Sequence, residues 1–140
     1  MLTQLQTIYT DYNDAVRAVR KKARVFDGIL GLGKDPRNDP CHQTFYDAVG
    51  AWVEDFLATA PEQDACMQAA LCILETPVAY TGKESYWFMF AAHGHIKPII
   101  PFLSKEDCKL LSDRLLQLYK KRDHMPLQKE LLKMLAKAAK

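Results

Sequence analysis

Apolar residues recur every three or four positions along most of the chain, the spacing that places them on one face of an α-helix. Between Thr3 and Arg24 this spacing predicts an amphipathic helix with a buried face made of Leu5, Ile8, Tyr9, Tyr12, Val16, Val19 and Ala23. Residues 25–32, where two glycines interrupt an apolar run, are expected to form a short helical turn. Residues 33–39 have the composition of a loop.

Start and stop signals predict the helices that follow. Asp39 is a good N-cap for a second helix over residues 39–58. Thr59 and Glu62 have the spacing of a capping box, which predicts a third helix over residues 59–75.

The end of the chain carries two more predicted helices. Ser104 with Asp107 three residues later predicts a helix that runs to about residue 121. After Pro126 a last helix is expected, with an inner face made of Leu127, Leu131, Met134 and Leu135.

A helix over residues 84–94 is predicted to form the centre of the fold. At about 100° per residue its large apolar side chains point in every direction: Tyr86, Trp87, Phe88, Met89 and Phe90. A helix that is apolar all round is enclosed by other elements, and this one is too short to span a bilayer, which needs roughly 20 residues. Gly94 is expected to end it. Pro98 and Pro101 are expected to break the apolar segment over residues 96–103.

Together these elements predict an all-α, single-domain multihelical bundle of five or six main helices around the central helix, with the whole chain as one domain. The succession of 39–58 with 59–75, and of 81–94 with 104–121, is also compatible with stacked helical hairpins. The content of 49% hydrophobic and 26% charged residues is typical of a globular domain.

The net charge of +2 is unevenly distributed along the chain. Residues 1–35 carry six basic and four acidic side chains, residues 36–103 carry three and eight, and residues 104–140 carry ten and five. An acidic middle flanked by basic ends predicts a protein partner or self-association through charged surfaces. The small total argues against nucleic acid as the partner, and no membrane partner is expected.

Lysines on the last predicted helix form a row at four-residue intervals. Lys129, Lys133 and Lys137 make up this row, and Lys140 extends it. Like charges at that spacing repel each other, so the row must face water or an acidic partner. Residues 39–62 of another copy of the chain are one such partner, and nucleic acid is another.

Cysteine spacing and the N-terminus indicate the compartment. The four cysteines show no CxxC spacing. The first residues lack the basic and apolar regions of a signal peptide. We therefore expect reduced thiols and a cytoplasmic location.

Residues 28–34 match the first seven positions of a phosphate loop, GxxxxGK. Asp35 stands where the motif needs a Ser or Thr to bind magnesium, and Pro36 follows at once. No convincing strand precedes the match. We therefore predict no nucleotide binding.

Four residues are candidate metal ligands: His93 and His95, which flank Gly94, and the adjacent Cys41 and His42. Their donor atoms suit zinc or another first-row metal. The alternative is that they are ordinary core, cap or surface residues, and no cofactor is then expected. Cys41 with His93 is also a formal nucleophile–base pair. The chain lacks both HExxH and Glu-x-x-His.

A cluster of aromatic residues could line a small-molecule pocket or could belong to the core: Trp52, Phe56, Tyr86, Trp87 and Phe90. No acid and base are paired at a spacing typical of an active site. The best interpretation is a non-enzymatic helical protein–protein interaction or oligomerisation module. The rival is a small metal- or ligand-binding enzyme with its site near His93 and His95.

Overall fold

Helices make up almost all of the chain that the structure describes. The structure, a computed structural model, describes residues 2–30, 39–80, 89–119 and 126–140, and it describes their side chains except at 20, 22–30, 119, 126 and 127. Within these ranges the chain forms five α-helices, two 3₁₀-helices and no strand. The all-α prediction is confirmed.

The five α-helices are α1 (Leu2–Leu30), α2 (Cys41–Ala58), α3 (Gln63–Glu75), α4 (Lys105–Tyr119) and α5 (Pro126–Ala138). A 3₁₀-helix over Thr76–Tyr80 follows α3 directly. A second one, over Phe90–Phe102, is called the buried 3₁₀-helix below.

The first helix is longer than predicted. It does not give way to a separate turn after Arg24 but continues to Leu30, through Gly28. An interior glycine costs a helix only about 1 kcal/mol relative to alanine, so it does not have to end one. The predicted loop lies largely outside the described residues, because residues 31–38 do.

The predicted central helix needs correction at its C-terminal end. Residues 84–88 lie outside the described residues, and from Phe90 the chain forms a 3₁₀-helix of 13 residues that passes through Gly94, Pro98 and Pro101. The predictions that Gly94 ends the helix and that residues 96–103 are broken were wrong. Prolines clash with the preceding turn of an α-helix, and here the chain keeps its helical course in the tighter 3₁₀ form.

The three-residue repeat of this 3₁₀-helix organises the core. Side chains three apart lie above one another in a 3₁₀-helix. Phe90, His93, Ile96 and Ile99 of one such row are buried, with at most 5% exposure, and the row ends at the exposed Phe102. Pro98 and Pro101 lie on a different row and are exposed. In the described part of the predicted apolar centre, Met89, Phe90 and Ala92 are buried and Ala91 is exposed, so the segment is enclosed on most sides but not all round.

Three α-helices pack around the buried 3₁₀-helix: α2, α3 and α5. Outside them, α1 packs against α2, and α4 packs against α5 and α3. Helices α2 and α3 contact this central partner much more than they contact each other, so residues 39–58 and 59–75 do not pack as the predicted hairpin.

Two predicted helix starts are confirmed. The carboxylate of Asp39 accepts a hydrogen bond from the Cys41 backbone N–H at 2.9 Å, so it caps α2. The hydroxyl of Ser104 accepts one from the Asp107 N–H at 3.0 Å and caps α4.

The predicted capping box at Thr59 and Glu62 was wrong. The Thr59 hydroxyl donates to the Phe56 carbonyl at 2.6 Å, so Thr59 terminates α2 instead of starting α3. Ala60 follows with φ of 51°, the left-handed conformation typical of helix ends. The chain then re-enters a helix only at Gln63.

Candidate functional site

His93 lies inside the core and ties the buried 3₁₀-helix to α3. It is fully buried, its ring packs edge-on against Phe90 with centroids 5.0 Å apart, and it is hydrogen-bonded to the backbone of Leu74. Burial lowers the pKa of His93 to about 4, against a smaller opposing effect of the Leu74 hydrogen bond. The imidazole is therefore neutral at physiological pH and serves as a polar core residue.

His95, two residues later, faces α2 instead. Its Nε2 lies 2.9 Å from the Tyr46 carbonyl oxygen, so Nε2 carries the hydrogen and donates it. Its ring lies 4.3 Å from the Tyr46 ring. Burial lowers the pKa of His95, while the Tyr46 hydrogen bond and the charge of Asp47 act the other way.

Gly50 makes room for this contact. A Cβ atom at position 50 would lie 2.7 Å from the His95 Cε1 atom, closer than real Cβ atoms approach other groups. The absence of a side chain on α2 at this point therefore lets the imidazole reach the Tyr46 carbonyl.

Cys41 and His42, at the start of α2, face α1. The His42 Nδ1 atom is 2.7 Å from the Tyr12 hydroxyl oxygen, and the Cys41 Sγ atom lies 3.9 Å from the same nitrogen. Burial first, then a hydrogen bond to Asp39 and its charge, raise the pKa of Cys41 to about 11. This is the opposite of the lowered pKa that activates a nucleophilic thiol.

The four predicted metal ligands thus have three different neighbours. His93 bonds to α3, His95 bonds to α2, and the pair of Cys41 and His42 lies against α1. Among the described residues, no group of three or more His, Cys, Asp and Glu side chains is arranged to hold a metal ion. The two alternatives for these residues, a site for zinc or another first-row metal and no cofactor at all, both stay predictions.

Of the other candidate residues from the sequence, some lie in the core and some lie outside the described residues. Trp52 and Phe56 stack at 5.0 Å within the core, where Phe90 is also buried. Tyr86 and Trp87 lie outside the described residues, as does most of the phosphate-loop match. Cys41 and His93 belong to different local contacts, so nothing in the described geometry makes them a catalytic pair.

Two open grooves were not found by sequence reasoning. One, of about 380 Å³ between α1 and α2, is lined by Ile8, Asp11, Tyr12, Ala15, Cys41, Thr44, Phe45 and Ala48. The other, of about 650 Å³, is lined by Leu74, Glu75, Val78, Ala79, Arg114, Gln117 and Leu118, and a Glu75–Arg114 ion pair lies on it. The helical periodicity of the sequence predicts the face of each helix, but it does not predict which helices lie side by side to form a groove.

The lysine row lies on the outer face of α5. Lys129, Lys133 and Lys137 on α5 are exposed, as is Lys140 just beyond its end, whereas Leu131 and Leu135 on the opposite face of the helix are fully buried. The one acidic residue of α5, Glu130, pairs with Lys97 at 3.0 Å. Over the ranges that the structure describes, no carboxylate is paired with any lysine of the row.

No family model, curated protein or solved structure matches this chain. Within the described ranges, no helix combines the length and apolar character needed to cross a membrane. The function must therefore be inferred from the chemistry of the residues themselves.

Metal binding can be tested directly. We expect the purified protein to contain no stoichiometric first-row metal and to show an unchanged melting temperature with added zinc, because His93 and His95 are engaged with different helices. Elemental analysis and thermal melts measure this. One equivalent of metal that disappears in a His93→Ala/His95→Ala variant would contradict it.

Burial of neutral His93 makes stability depend on pH. The folded pKa of about 4 lies below the ordinary value of 6.5, so the unfolded chain binds the proton more readily between these values. The free energy of unfolding should therefore fall as pH drops from 6.5 to 4, by roughly 3 kcal/mol for this residue, and then level off. Urea unfolding at a series of pH values measures the slope.

The control is His93→Asn, which keeps a polar side chain but cannot titrate. Its overall stability will be lower, but the fall over this pH window should be shallower than in the original chain. An equally steep fall in both proteins would show that other groups cause the acid sensitivity.

Gly50→Ala should destabilise the protein although the position is inside a helix. Glycine-to-alanine changes in helices normally stabilise by about 1 kcal/mol, but here the new methyl group displaces His95 from Tyr46. We expect a loss of about 1–2 kcal/mol in denaturant melts. In a His95→Ala background the same change should instead stabilise by about 1 kcal/mol. Equal effects in both backgrounds would contradict the proposed contact.

Proposed function

We propose that this chain is a non-enzymatic helical protein–protein interaction or oligomerisation module, in which the lysine row of α5 binds an acidic protein surface. The observation that carries the proposal is the row itself: like charges at successive turns, exposed, with no carboxylate partner among the described residues. Such a row is repulsive in the free protein, and an opposing acidic surface relieves that repulsion.

The row is held in a fixed position by the packing on the other side of α5. Leu131 and Leu135 are fully buried and Gln128 is 5% exposed, so α5 is anchored to the core along two turns. An anchored helix presents its charges at a constant spacing, which favours recognition of a matching surface over loose attraction.

The titratable groups inside the fold support a non-enzymatic role. Cys41 has a raised pKa, which makes it a poor nucleophile at neutral pH. His93 and His95 have lowered pKa values, and both are engaged in hydrogen bonds to backbone groups of neighbouring helices. All four cysteines are free thiols, which supports the cytoplasmic location that we propose for the module.

The test is binding of a fluorescently labelled polyglutamate peptide, measured by anisotropy at low salt. We expect the triple variant Lys129→Glu/Lys133→Glu/Lys137→Glu to bind about tenfold or more weakly, because three ion pairs are replaced by repulsion. The matched control is Lys21→Glu/Lys105→Glu/Lys109→Glu, which changes three exposed lysines elsewhere and gives the same net charge.

Equal losses in the two triple variants would mean that only total charge matters, and this would contradict the proposal. Tighter binding of a short DNA duplex than of polyglutamate would also contradict it, in favour of a nucleic-acid partner.

A further inference from the structure

We propose that the acidic surface that receives the lysine row is helix α2 of a second copy of this chain. This inference rests on the proposed function and names its partner. It is carried by a second charged row, of opposite sign, that the structure places on the exposed face of α2.

The acidic row consists of Asp47, Glu54 and Asp55, which are all exposed. Helix α2 contains no lysine or arginine, so nothing within the helix neutralises it. The Gln43 side chain donates to the Asp47 carboxylate at 2.7 Å, which orients that carboxylate without removing its charge. Within the described part of the chain, no cation is paired with these three carboxylates.

The two rows have the same spacing. Lys129 and Lys137 are eight residues apart, as are Asp47 and Asp55. At 1.5 Å per residue, each pair spans about 12 Å along its helix. Both rows therefore offer charges at matching intervals and with the same rotation around the helix axis.

The middle of each row also fits. Lys133 lies halfway along its row, and the corresponding position on α2 is the exposed Ala51, whose small side chain leaves room for a lysine. Glu54 lies one helical turn further on and can accept that lysine. If α5 of one copy lies antiparallel to α2 of the other, Lys137 lies opposite Asp47. The antiparallel arrangement is also favourable for the two helix dipoles, because opposite ends of the helices then lie side by side.

The charge balance of the chain favours a second copy over an unrelated partner. Residues 36–103 contain three basic and eight acidic side chains, and residues 104–140 contain ten and five. The two excesses are equal and opposite, so one chain supplies both halves of the contact. Because α2 and α5 pack against the same buried 3₁₀-helix, a two-fold dimer can use the contact twice.

The experiment is analytical ultracentrifugation over a range of protein concentrations. At about 50 mM salt, where surface charges are weakly screened, the mass should rise above the monomer value of 16.0 kDa. At about 500 mM salt it should return to that value. A monomer at all concentrations in low salt would overturn the inference.

Charge exchange then tests the named residues. The variant Lys129→Glu/Lys133→Glu/Lys137→Glu and the variant Asp47→Lys/Glu54→Lys/Asp55→Lys should each be monomeric alone, and an equimolar mixture should associate again. The control Lys21→Glu/Lys105→Glu/Lys109→Glu should associate like the original chain. Circular dichroism checks that all variants are folded. A mixture that stays monomeric would overturn the inference.

The register is tested with single changes. A chain with Asp47→Lys should recover association with a chain carrying Lys137→Asp, and should not recover it with one carrying Lys129→Asp. The reverse result would overturn the antiparallel arrangement.

The two proposals can fail separately. A monomeric protein that still binds polyglutamate through α5 would overturn self-association and leave the interaction module in place. A protein that shows neither property would overturn both.

Discussion

Packing around one 3₁₀-helix of 13 residues is the constraint on which the rest of this fold depends. Helices α2, α3 and α5 all pack against Phe90–Phe102, so its three-residue repeat decides which side chains form the centre of the core. The buried row along it contains three apolar residues and one histidine. That histidine must be neutral and hydrogen-bonded, because a buried charge without a partner would be costly.

The same constraint explains why the two histidines have different hydrogen-bond partners. At three residues per turn, residues two apart are separated by roughly 240° around a 3₁₀-helix, so His93 and His95 point to different neighbours. Each one bridges the buried 3₁₀-helix to a different α-helix, and Gly50 is small because His95 needs that space. With both histidines engaged in this way, the exposed charged rows are the basis of the function that we propose.

Much of this architecture could be predicted from the sequence, because the spacing of apolar residues in an amphipathic helix is visible in that helix alone. The inner face of α1 and the caps at Asp39 and Ser104 were visible in local patterns. The continuous helix through Gly94, Pro98 and Pro101 was not predicted, because these residues end or break an α-helix and the segment is a 3₁₀-helix. The spacing of Phe90, His93, Ile96 and Ile99 was the available signal.

The site was harder to predict than the fold. Adjacent histidines suggest a shared ligand, but which helix each imidazole meets depends on contacts across the fold, such as the one between His95 and Tyr46. The lysine row was predicted correctly as a row. The pairing with Asp47 and Asp55 that we propose depends in addition on the exposure of both faces in the fold.

Native-state hydrogen exchange tests the central role of the buried 3₁₀-helix most directly. If this helix organises the core, the amides of Ile96, Ile99 and Ile100 should exchange only when the whole protein unfolds, with an opening free energy equal to the global one. Exchange of these amides at lower free energies than those of α2 and α3 would show that the surrounding helices are stable without it. That result would contradict the account.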